Sequence, residues 1–332
     1  MSDAPRVLVT PRSLQPRDGR HHPIIERLVE AGAWPYYPDR RGPLPADAMR
    51  TLLAEASAAI IGLDTVDRAA VEAAPRLKVL ARFGTGYDRV DVAACTARGV
   101  AVTITPGANA VAVAEYTLGL MLALARHVPR HHQDVLEGRW RPRAGIELSG
   151  RRLGIVGLGR IGQEVARRAS AFGMRVGYHD IVRKSPDVEE ALSVTYMSLD
   201  DLLQWADIVT LHAPYTPGSS PLLGRRELGL AREGVLIINT ARGELIDEAS
   251  LADSLRSGRV GGAALDVLSQ EPPPPSHPLL SAPNVILSPH AAAQTAEARD
   301  RMAEAAVESV LDALSGRRPR NVINPEVYGP RP

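Results

Sequence analysis

The chain has 332 residues, of which 45% are hydrophobic, so it is long and apolar enough for two packed domains. Its 39 basic and 38 acidic side chains leave a net charge of +1, which argues against general binding to nucleic acid or to anionic membranes. The sequence contains no run of about 18 apolar residues and no signal-peptide pattern, so we expect a cytoplasmic protein with no membrane partner.

Cysteine and histidine usage predicts that no metal is bound. Cys95 is the only cysteine, and the adjacent histidine pairs at 21–22 and 131–132 have no Cys or carboxylate neighbour at a metal-ligand spacing. Cys95 falls in a predicted helix at residues 90–97, where we expect a buried small hydrophobic side chain.

Residues 6–104 alternate short apolar runs with helical patterns. Such repeated units predict a parallel sheet with helices on both faces, an open doubly wound α/β domain of the flavodoxin-like type. The loop after the strand at 78–81 contains Arg82, Gly84, Thr85 and Gly86. Ligands bind beyond the carboxyl ends of such strands, so this loop is either a small anion cradle or a glycine turn before a helix.

A strong helix breaker at residues 105–109 precedes an apolar-periodic helix, predicted from residue 111 to about 127. We interpret this helix as the crossing into a second domain. Residues 128–149 are mostly polar and are predicted to be irregular. Trp140 in this segment either anchors a partner subunit or packs within its own domain.

The organising pattern of the second half is an apolar strand at 152–156 that turns through Gly157, Gly159 and Gly162 into an Ala- and Arg-rich helix. Gly157 permits a tight turn, Gly159 lets backbone amides approach a pyrophosphate, and Gly162 lets the helix pack close to the strand. The helix N-terminus then faces the phosphates with its partial positive charge. This context favours a dinucleotide site over a structural turn.

The next strand is followed by Asp180, eighteen residues beyond Gly162 and near the spacing of about 20 expected for a ribose-binding carboxylate. Asp180 would accept hydrogen bonds from the ribose hydroxyls and repel a 2′-phosphate, so NAD is the expected cofactor. Arg183 and Lys184 lie close by in the sequence and leave NADP as an alternative.

Further strand and helix patterns continue to about residue 288, as in a Rossmann dinucleotide-binding sheet. Three strand ends, at 239–243, 266–271 and 288–290, carry polar residues that the sheet itself does not need. An Arg, a Glu and a His meeting there could clamp a carboxylate and exchange a proton near neutral pH. Alternatively, the three residues have no role in the reaction and are a surface Arg, a loop Glu and a capping His.

A last amphipathic helix, at about 296–313, could fold back on the first domain.

Six motifs follow one another along the chain: GTGYDRVD, TPGANAVAVAE, GIELSGRRLGIVGLGRIG, INTARGELIDEASL, ALDVLSQEP and SPHAAAQTAEA. In these motifs nearly the whole chain resembles the D-isomer-specific 2-hydroxyacid dehydrogenases, and the phosphoglycerate dehydrogenase branch most of all. The resemblance implies that Arg242 clamps the substrate carboxylate and carbonyl, that Glu271 pairs with His290, and that His290 is the acid/base. The implied cofactor-binding residues are Gly157, Gly159, Arg160, Ile161, Gly162, Asp180, Pro214, Ser219, Thr240, Ala241, Asp266 and Ala292. The implied substrate-binding residues are Arg82, Gly84, Thr85, Gly86 and Arg242.

The implied reaction is hydride transfer between C4 of the nicotinamide and C2 of a small 2-oxo or 2-hydroxy acid. The resemblance also implies a substrate-binding domain at 1–104, completed by 292–332, an NAD-binding Rossmann domain at 105–291, and a homodimer formed through residues 111–149. Leu268, Ser219 and residues 291–293 depart from the common family residues, which alters the expected wall near the nicotinamide but removes no catalytic residue type.

Arg82 separates two substrate hypotheses. If its guanidinium holds a phosphate or phosphonate, the substrate is a doubly anionic acid such as 3-phosphoglycerate. If it pairs with a nearby carboxylate, the protein is a glyoxylate or hydroxypyruvate reductase. A hypothesis of another class is an NAD-responsive binding protein, because proteins resembling the C-terminal binding corepressors keep this fold, the NAD site and the Arg, Glu and His set.

Overall fold

The structure, a computed structural model, describes residues 4–40 and 42–329. Packing divides the chain into two compact units. Unit 1 comprises the described residues of Met1–Asn109 and Ala296–Pro332, and unit 2 comprises Ala110–Thr295. The predicted domain boundaries, at 104/105 and 291/292, fall slightly earlier in the chain. The assignment of unit 1 to substrate binding stays a prediction.

Within its described residues, unit 1 contains a five-stranded parallel sheet. The strands in chain order are β1 (Arg6–Val9), β2 (Trp34–Tyr36), β3 (Ala58–Ile61), β4 (Val79–Arg82) and β5 (Ala101–Thr103). The helices are α1 (Pro23–Glu30), α2 (Ala46–Leu53), α3 (Arg68–Glu72), α4 (Val92–Ala97) and the C-terminal α12 (Ala296–Leu314). The spatial order β2-β1-β3-β4-β5 is that of a flavodoxin-like sheet, so this part of the predicted fold is confirmed.

The core of unit 1 follows from the apolar runs of its central strands. Every residue of β3 and β4 is buried, as expected for parallel strands that helices cover on both faces. On one face α1 and α12 pack on the sheet, and on the other α2, α3 and α4 do. Cys95 in α4 is buried, as predicted. Burial, together with the charge of Asp91, raises the pKa of its thiol to about 12, so the thiol stays protonated.

Unit 2 contains a seven-stranded parallel sheet among the residues that the structure covers. Its strands are β6 (Arg152–Val156), β7 (Arg175–His179), β8 (Val194–Tyr196), β9 (Ile208–Leu211), β10 (Val235–Asn239), β11 (Val260–Leu265) and β12 (Val285–Leu287). Its helices are α5 (Ala110–Ala125), α6 (Val128–Leu136), α7 (Arg160–Ala171), α8 (Pro186–Leu192), α9 (Leu199–Trp205), α10 (Arg225–Leu230) and α11 (Glu248–Arg256).

The strand order of unit 2, β12-β11-β10-β9-β6-β7-β8, places the glycine turn. The chain leaves β6 through α7 to β7 on one side of β6, and it returns at β9 on the other side. Ligands of doubly wound sheets bind at the carboxyl ends of the strands where the order reverses in this way. The turn after β6 lies at that point. The predicted Rossmann class of the second domain is confirmed.

Three elements differ from the sequence prediction. The segment expected to be irregular begins with a helix, α6, in which Pro129 occupies the first turn, where its missing N–H costs no hydrogen bond. Helix α8 and strand β8 are present in the structure but were not predicted from the sequence. Trp140 is 86% exposed.

In the described ranges no single helix is long and apolar enough to cross a membrane; only α5 and α6 together, with a bend of 58° between them, have the necessary length and composition.

Candidate active site

The glycine turn after β6 is built by backbone packing against backbone. Gly157 has a φ of 96°, and a side chain there would lie 2.7 Å from the backbone of His212 and Ala213. A side chain at Gly162, in the first turn of α7, would overlap the carbonyl oxygen of Gly157. Both positions therefore require glycine.

Gly159 lies between them and faces open space. A side chain at this position would have no atom of the described chain within 4 Å. Gly159 is the N-cap of α7, and none of the described side chains caps this helix end. The amides of Arg160 and Ile161 are therefore in position for a phosphate, which the helix dipole also favours. The turn fits the diphosphate of a dinucleotide.

Asp180 follows β7 and is bonded to the same turn. Its carboxylate accepts a hydrogen bond from the Leu158 amide at 2.9 Å and pairs with the Lys184 ammonium at 3.1 Å. Burial opposes its ionisation, but these two partners outweigh burial and hold the pKa of Asp180 below its ordinary value. The carboxylate is therefore charged at neutral pH. A fixed charge here fits the ribose hydroxyls of NAD and opposes a 2′-phosphate.

His212 supports the glycine turn, although nothing in the sequence pattern singles it out. Its Nε2 lies 3.0 Å from the hydroxyl oxygen of Thr210, and its Nδ1 is buried without a hydrogen-bond partner in the described structure. Burial lowers the pKa of His212 to about 3, so its imidazole is neutral near pH 7.

Two predicted cofactor-binding residues, Pro214 and Ser219, lie in the exposed loop that follows His212. In this loop the Ser219 amide donates to the Thr216 carbonyl at 3.0 Å.

The loop after β10 carries three predicted site residues, Thr240, Ala241 and Arg242, and Asn239 closes it. The Asn239 side chain donates to the Arg242 carbonyl at 2.7 Å and accepts from the Ala241 amide at 2.9 Å. The Thr240 hydroxyl lies 2.9 Å from the hydroxyl of Thr117 in α5. Arg242 Nη1 donates to the Ala241 carbonyl at 2.7 Å. These bonds fix the shape of the loop and tie it to α5.

Gly243 brings this loop against the loop after β11. A side chain at Gly243 would overlap the backbone of Leu268 and Ser269, so the approach requires glycine. In the second loop the Leu268 amide donates to Glu271 Oε1 at 3.2 Å. The loops that carry Arg242 and Glu271 are therefore in backbone contact.

His290 and Glu271 form a hydrogen-bonded pair. His290 Nδ1 lies 2.9 Å from Glu271 Oε2 and 3.2 Å from Oε1, and both side chains are partly exposed. His290 has a φ of 54°, in the left-handed region that few non-glycine residues adopt. A carboxylate on Nδ1 fixes the tautomer and leaves Nε2 facing away, which suits a group that exchanges protons.

Asp266 holds the His290 loop in place, a task that the sequence did not indicate. Its buried carboxylate accepts from the Ser288 hydroxyl at 2.6 Å and from the amides of Ala291 and Ala292, each at 2.8 Å. Its own carbonyl accepts from the His290 amide at 2.8 Å. These bonds stabilise the left-handed backbone of His290. The predicted contact of Asp266 with the nicotinamide carboxamide stays a prediction.

A second set of side chains tethers the Glu271 loop to α11. Glu248 accepts from the Ser269 amide at 2.9 Å and from the Ser269 hydroxyl, and its Oε2 lies 3.0 Å from His277 Nε2. Glu248 and His277 both have little solvent exposure. The sequence holds no signal for this set, because Glu248 lies 21 residues before Ser269 and 29 residues before His277.

Arg82, Gly84, Thr85 and Gly86 lie in unit 1, in the loop after β4. The Arg82 side chain is only 8% exposed and turns back on its own loop, where Nε donates to the Gly86 carbonyl at 2.8 Å and Nη1 donates to the Phe83 carbonyl. Gly84 has a φ of 138°. The guanidinium therefore shapes the loop that was predicted to bind the acid.

Residues 118–292 match the model of the D-isomer specific 2-hydroxyacid dehydrogenase NAD-binding domain. The chain belongs to this dehydrogenase family. It is therefore an oxidoreductase that acts on the CH–OH group of 2-hydroxy acids, and unit 2 is its NAD-binding domain. The predicted family and enzyme class are confirmed.

Relatives within the dehydrogenase family carry different names. A glyoxylate reductase from Aeropyrum pernix is 39% identical over 97% of each chain. A D-3-phosphoglycerate dehydrogenase from Methanocaldococcus jannaschii is 42% identical over 78% of this chain, but only 50% of that protein is covered. An NADPH-dependent glyoxylate/hydroxypyruvate reductase from Sinorhizobium meliloti, solved with NADP and malonate, superposes with a TM-score of 0.83 at 31% identity, covering 97% of each chain.

Proposed function

We propose that this dehydrogenase reduces a small unphosphorylated 2-oxo acid, of the glyoxylate or hydroxypyruvate class, with NADH as the preferred reductant. The observation that carries the choice of acid is the hydrogen bonding of Arg82 to the carbonyl groups of Phe83 and Gly86. These bonds commit Nε and one N–H of Nη1 to the loop, so a phosphate would have only the remaining N–H groups of a largely buried guanidinium. Arg82 is better suited to support the loop than to hold a second anion.

The names of the relatives support the same class of acid. The match to the glyoxylate reductase from Aeropyrum pernix covers 97% of each chain, whereas the phosphoglycerate dehydrogenase from Methanocaldococcus jannaschii is about twice the length of the region it shares. The reductase from Sinorhizobium meliloti, which is similar over nearly its whole length, is named for glyoxylate and hydroxypyruvate.

The geometry of unit 2 suits acid/base chemistry at the carbonyl oxygen of such an acid. NADH supplies the hydride when it is bound. Because the Glu271 carboxylate occupies Nδ1 of His290, Nε2 is the nitrogen that gives a proton to the substrate oxygen in reduction and takes the hydroxyl proton in oxidation. Arg242, on the adjoining loop, offers a guanidinium fork for the carboxylate of the acid.

The preference for NADH rests on Asp180. The Leu158 amide and the Lys184 ammonium keep this carboxylate charged at the position expected for the adenosine ribose. A 2′-phosphate would meet that charge and be repelled. The Sinorhizobium meliloti relative is named as NADPH-dependent, so we expect the two proteins to differ in cofactor preference.

The test is the loss of NADH absorbance with glyoxylate, hydroxypyruvate, pyruvate and 3-phosphohydroxypyruvate, with NADPH in parallel. We expect the highest kcat/KM with glyoxylate or hydroxypyruvate and NADH. A higher kcat/KM with 3-phosphohydroxypyruvate would contradict the choice of acid. Absence of turnover with every acid would contradict the proposed reaction and favour an NAD-responsive binding protein.

Arg82 variants distinguish loop support from phosphate binding. Arg82→Ala should lower kcat/KM about tenfold or more for all acids alike, because the loop loses buried charge-assisted hydrogen bonds. Arg98→Ala, which removes an exposed arginine of the same unit, is the matched control and should leave the kinetics unchanged. A loss restricted to the phosphorylated acid would instead support a phosphate-binding Arg82 and a phosphoglycerate dehydrogenase.

We also propose that the protein is a homodimer formed through α6 and the residues that follow it. Large apolar side chains are exposed there, with Leu136 at 68% and Trp140 at 86%. Asp134 of α6 is buried and accepts hydrogen bonds from Arg139 and Arg143, so the segment after the helix is held in place. An ordered segment that exposes apolar side chains is typical of a subunit interface.

A further inference from the structure

The loop between β7 and α8 carries two cations, and the structure pairs each with a carboxylate. Lys184 pairs with Asp180 at 3.1 Å. Arg183 pairs with Glu189 of α8 through two parallel hydrogen bonds, from Nε to Oε1 at 2.9 Å and from Nη2 to Oε2 at 2.8 Å. The edge of the guanidinium that best fits a phosphate is therefore occupied by a carboxylate.

Glu189 is itself anchored to the core of unit 2. The buried Tyr178 donates its hydroxyl hydrogen to Glu189 Oε1 at 2.6 Å and accepts from the Lys184 amide at 2.9 Å. Arg183 and Tyr178 together hold the pKa of Glu189 down to about 2, so its charge is present at all physiological pH values. The ring of Tyr196 lies 5.5 Å from the Arg183 Cζ and adds a cation–π contact.

This arrangement bears on the choice between the two nicotinamide dinucleotides. Arg183 lies three residues after Asp180, the residue expected at the adenosine ribose, so its long side chain belongs to the loop that a 2′-phosphate would meet. Arginine is well suited to bind a phosphate at that position. In this structure its fork instead faces Glu189, ten residues beyond β7 (Arg175–His179) in the sequence.

We propose that Glu189 sets the cofactor preference by occupying the guanidinium edge of Arg183 that would otherwise bind the 2′-phosphate of an NADP-type dinucleotide. Asp180 repels the phosphate, and Glu189 withholds the arginine that would compensate. The proposal rests on the nucleotide half of the proposed function and not on the choice of acid.

The test is binding of NADH and NADPH to the full-length protein, measured by isothermal titration calorimetry without substrate. Glu189→Gln keeps the hydrogen bond of Tyr178 but turns an amide N–H₂ toward Arg183 Nη2, so the paired fork is lost. We expect NADPH to bind about tenfold more tightly to this variant, while the affinity for NADH changes less than about twofold. The ion pair is exposed on the side of Arg183, at 64%, and contributes little to folding, so the variant should fold.

Two further variants isolate the role of Arg183. Arg183→Ala in the wild-type background should leave NADPH affinity nearly unchanged, because the arginine is already withheld. In the Glu189→Gln background, Arg183→Ala should return the NADPH affinity to that of wild type. A double-mutant cycle gives this result when two residues are coupled. Glu190→Gln, the same charge change at the neighbouring exposed position of α8, is the matched control and should behave as wild type.

The outcomes separate this proposal from the proposed function. If Glu189→Gln leaves the ratio of NADH to NADPH affinity as in wild type, or if Glu190→Gln changes it equally, the role of Glu189 is refuted and NADH use stands. If the double variant Glu189→Gln, Arg183→Ala still binds NADPH more tightly than wild type does, another group binds the phosphate and the proposal also fails. If wild type binds neither dinucleotide, the proposed reduction with NADH fails as well.

Discussion

Glu271 is hydrogen-bonded to Nδ1 of His290, across the ring from the nitrogen that we propose exchanges the proton. We expect Glu271→Gln to lower kcat about 100-fold in the direction of reduction, because the charge that stabilises a protonated His290 is lost while a hydrogen bond to Nδ1 remains. NADH affinity should change less than about twofold, since Glu271 is not predicted to bind the cofactor. Steady-state kinetics and NADH titration measure the two effects. Glu233→Gln, an exposed carboxylate of the same unit, is the control. A kcat near wild type would show that His290 works without this partner.

The residue types of the site follow from the sequence, but their conformations do not. Arg242, Glu271 and His290 could be predicted because each lies in the loop that follows an apolar strand and falls within a motif that resembles the dehydrogenase family. The left-handed backbone of His290 depends on bonds to Asp266, which lies on another loop. The inward turn of Arg82 depends on the carbonyl groups that follow it in the fold. Such contacts depend on tertiary packing, and the local pattern of apolar and polar residues in the sequence does not predict them.

The loop from β11 to Glu271 is an element whose position depends on His277 and Glu248. We expect His277→Ala to lower kcat about tenfold with little change in the KM for NADH, because Glu271 loses its fixed place beside His290. His277→Gln, whose amide can still donate to Glu248, should recover part of the activity. Steady-state kinetics and thermal unfolding of both variants check this. A lower Tm with kcat unchanged in both would mean that the tether only stabilises the fold.

Asp207 joins β6 to β9 at the edge of the sheet opposite the glycine turn. Its carboxylate accepts from the Arg152 amide and from Arg152 Nη2, each at 3.0 Å, and Arg232 lies at 3.3 Å. Burial opposes its ionisation, but the hydrogen bonds from Arg152 outweigh burial and lower the pKa of Asp207. A lowered folded-state pKa means that this stabilisation is present above the unfolded value of about 3.9 and is lost as pH falls through the folded value.

The corresponding variant is Asp207→Asn. We expect its Tm at pH 7 to lie about 2–4 °C below that of wild type, because a charge-assisted set of hydrogen bonds is weakened. The difference should begin to shrink as pH falls below about 4, where Asp207 of the unfolded chain becomes protonated, and should shrink further as pH falls through the lower folded-state pKa. Thermal unfolding followed by circular dichroism from pH 3 to 7 measures it. A difference that is constant with pH would assign the effect to packing rather than to charge.

Element prediction succeeded where periodicity was strong and failed where it was weak. Every strand of unit 1 and the glycine-turn strand of unit 2 are apolar runs, so the sequence marks them. Helices α6 and α8 each bury one side chain, Asp134 and Leu192, and β8 is only three residues long; tertiary contacts such as Tyr178 to Glu189 hold α8. A helix stabilised in this way leaves little apolar pattern in the sequence.

At the scale of the whole chain, the alternation of strands and helices was enough to predict two parallel sheets, because short crossovers of one hand allow few other arrangements. The position of α12 was harder to predict. It follows the last strand of unit 2 in sequence but packs against β3 and β4 of unit 1. Its amphipathic pattern shows that one face is buried, not which sheet covers that face.

The proposed homodimer is tested by charge introduced into the exposed apolar segment. Wild-type protein should have twice the mass of one chain by light scattering at micromolar concentration. Leu136→Asp combined with Trp140→Asp should halve that mass, because two buried charges at an interface cost several kcal/mol. Phe172→Asp, at an exposed apolar position after α7, is the control and should leave the mass unchanged. Both changed residues of the first variant are exposed in the single chain, so its fold and NADH affinity should persist. A monomeric wild type, or a double variant that stays dimeric, would rule out this segment as the subunit interface.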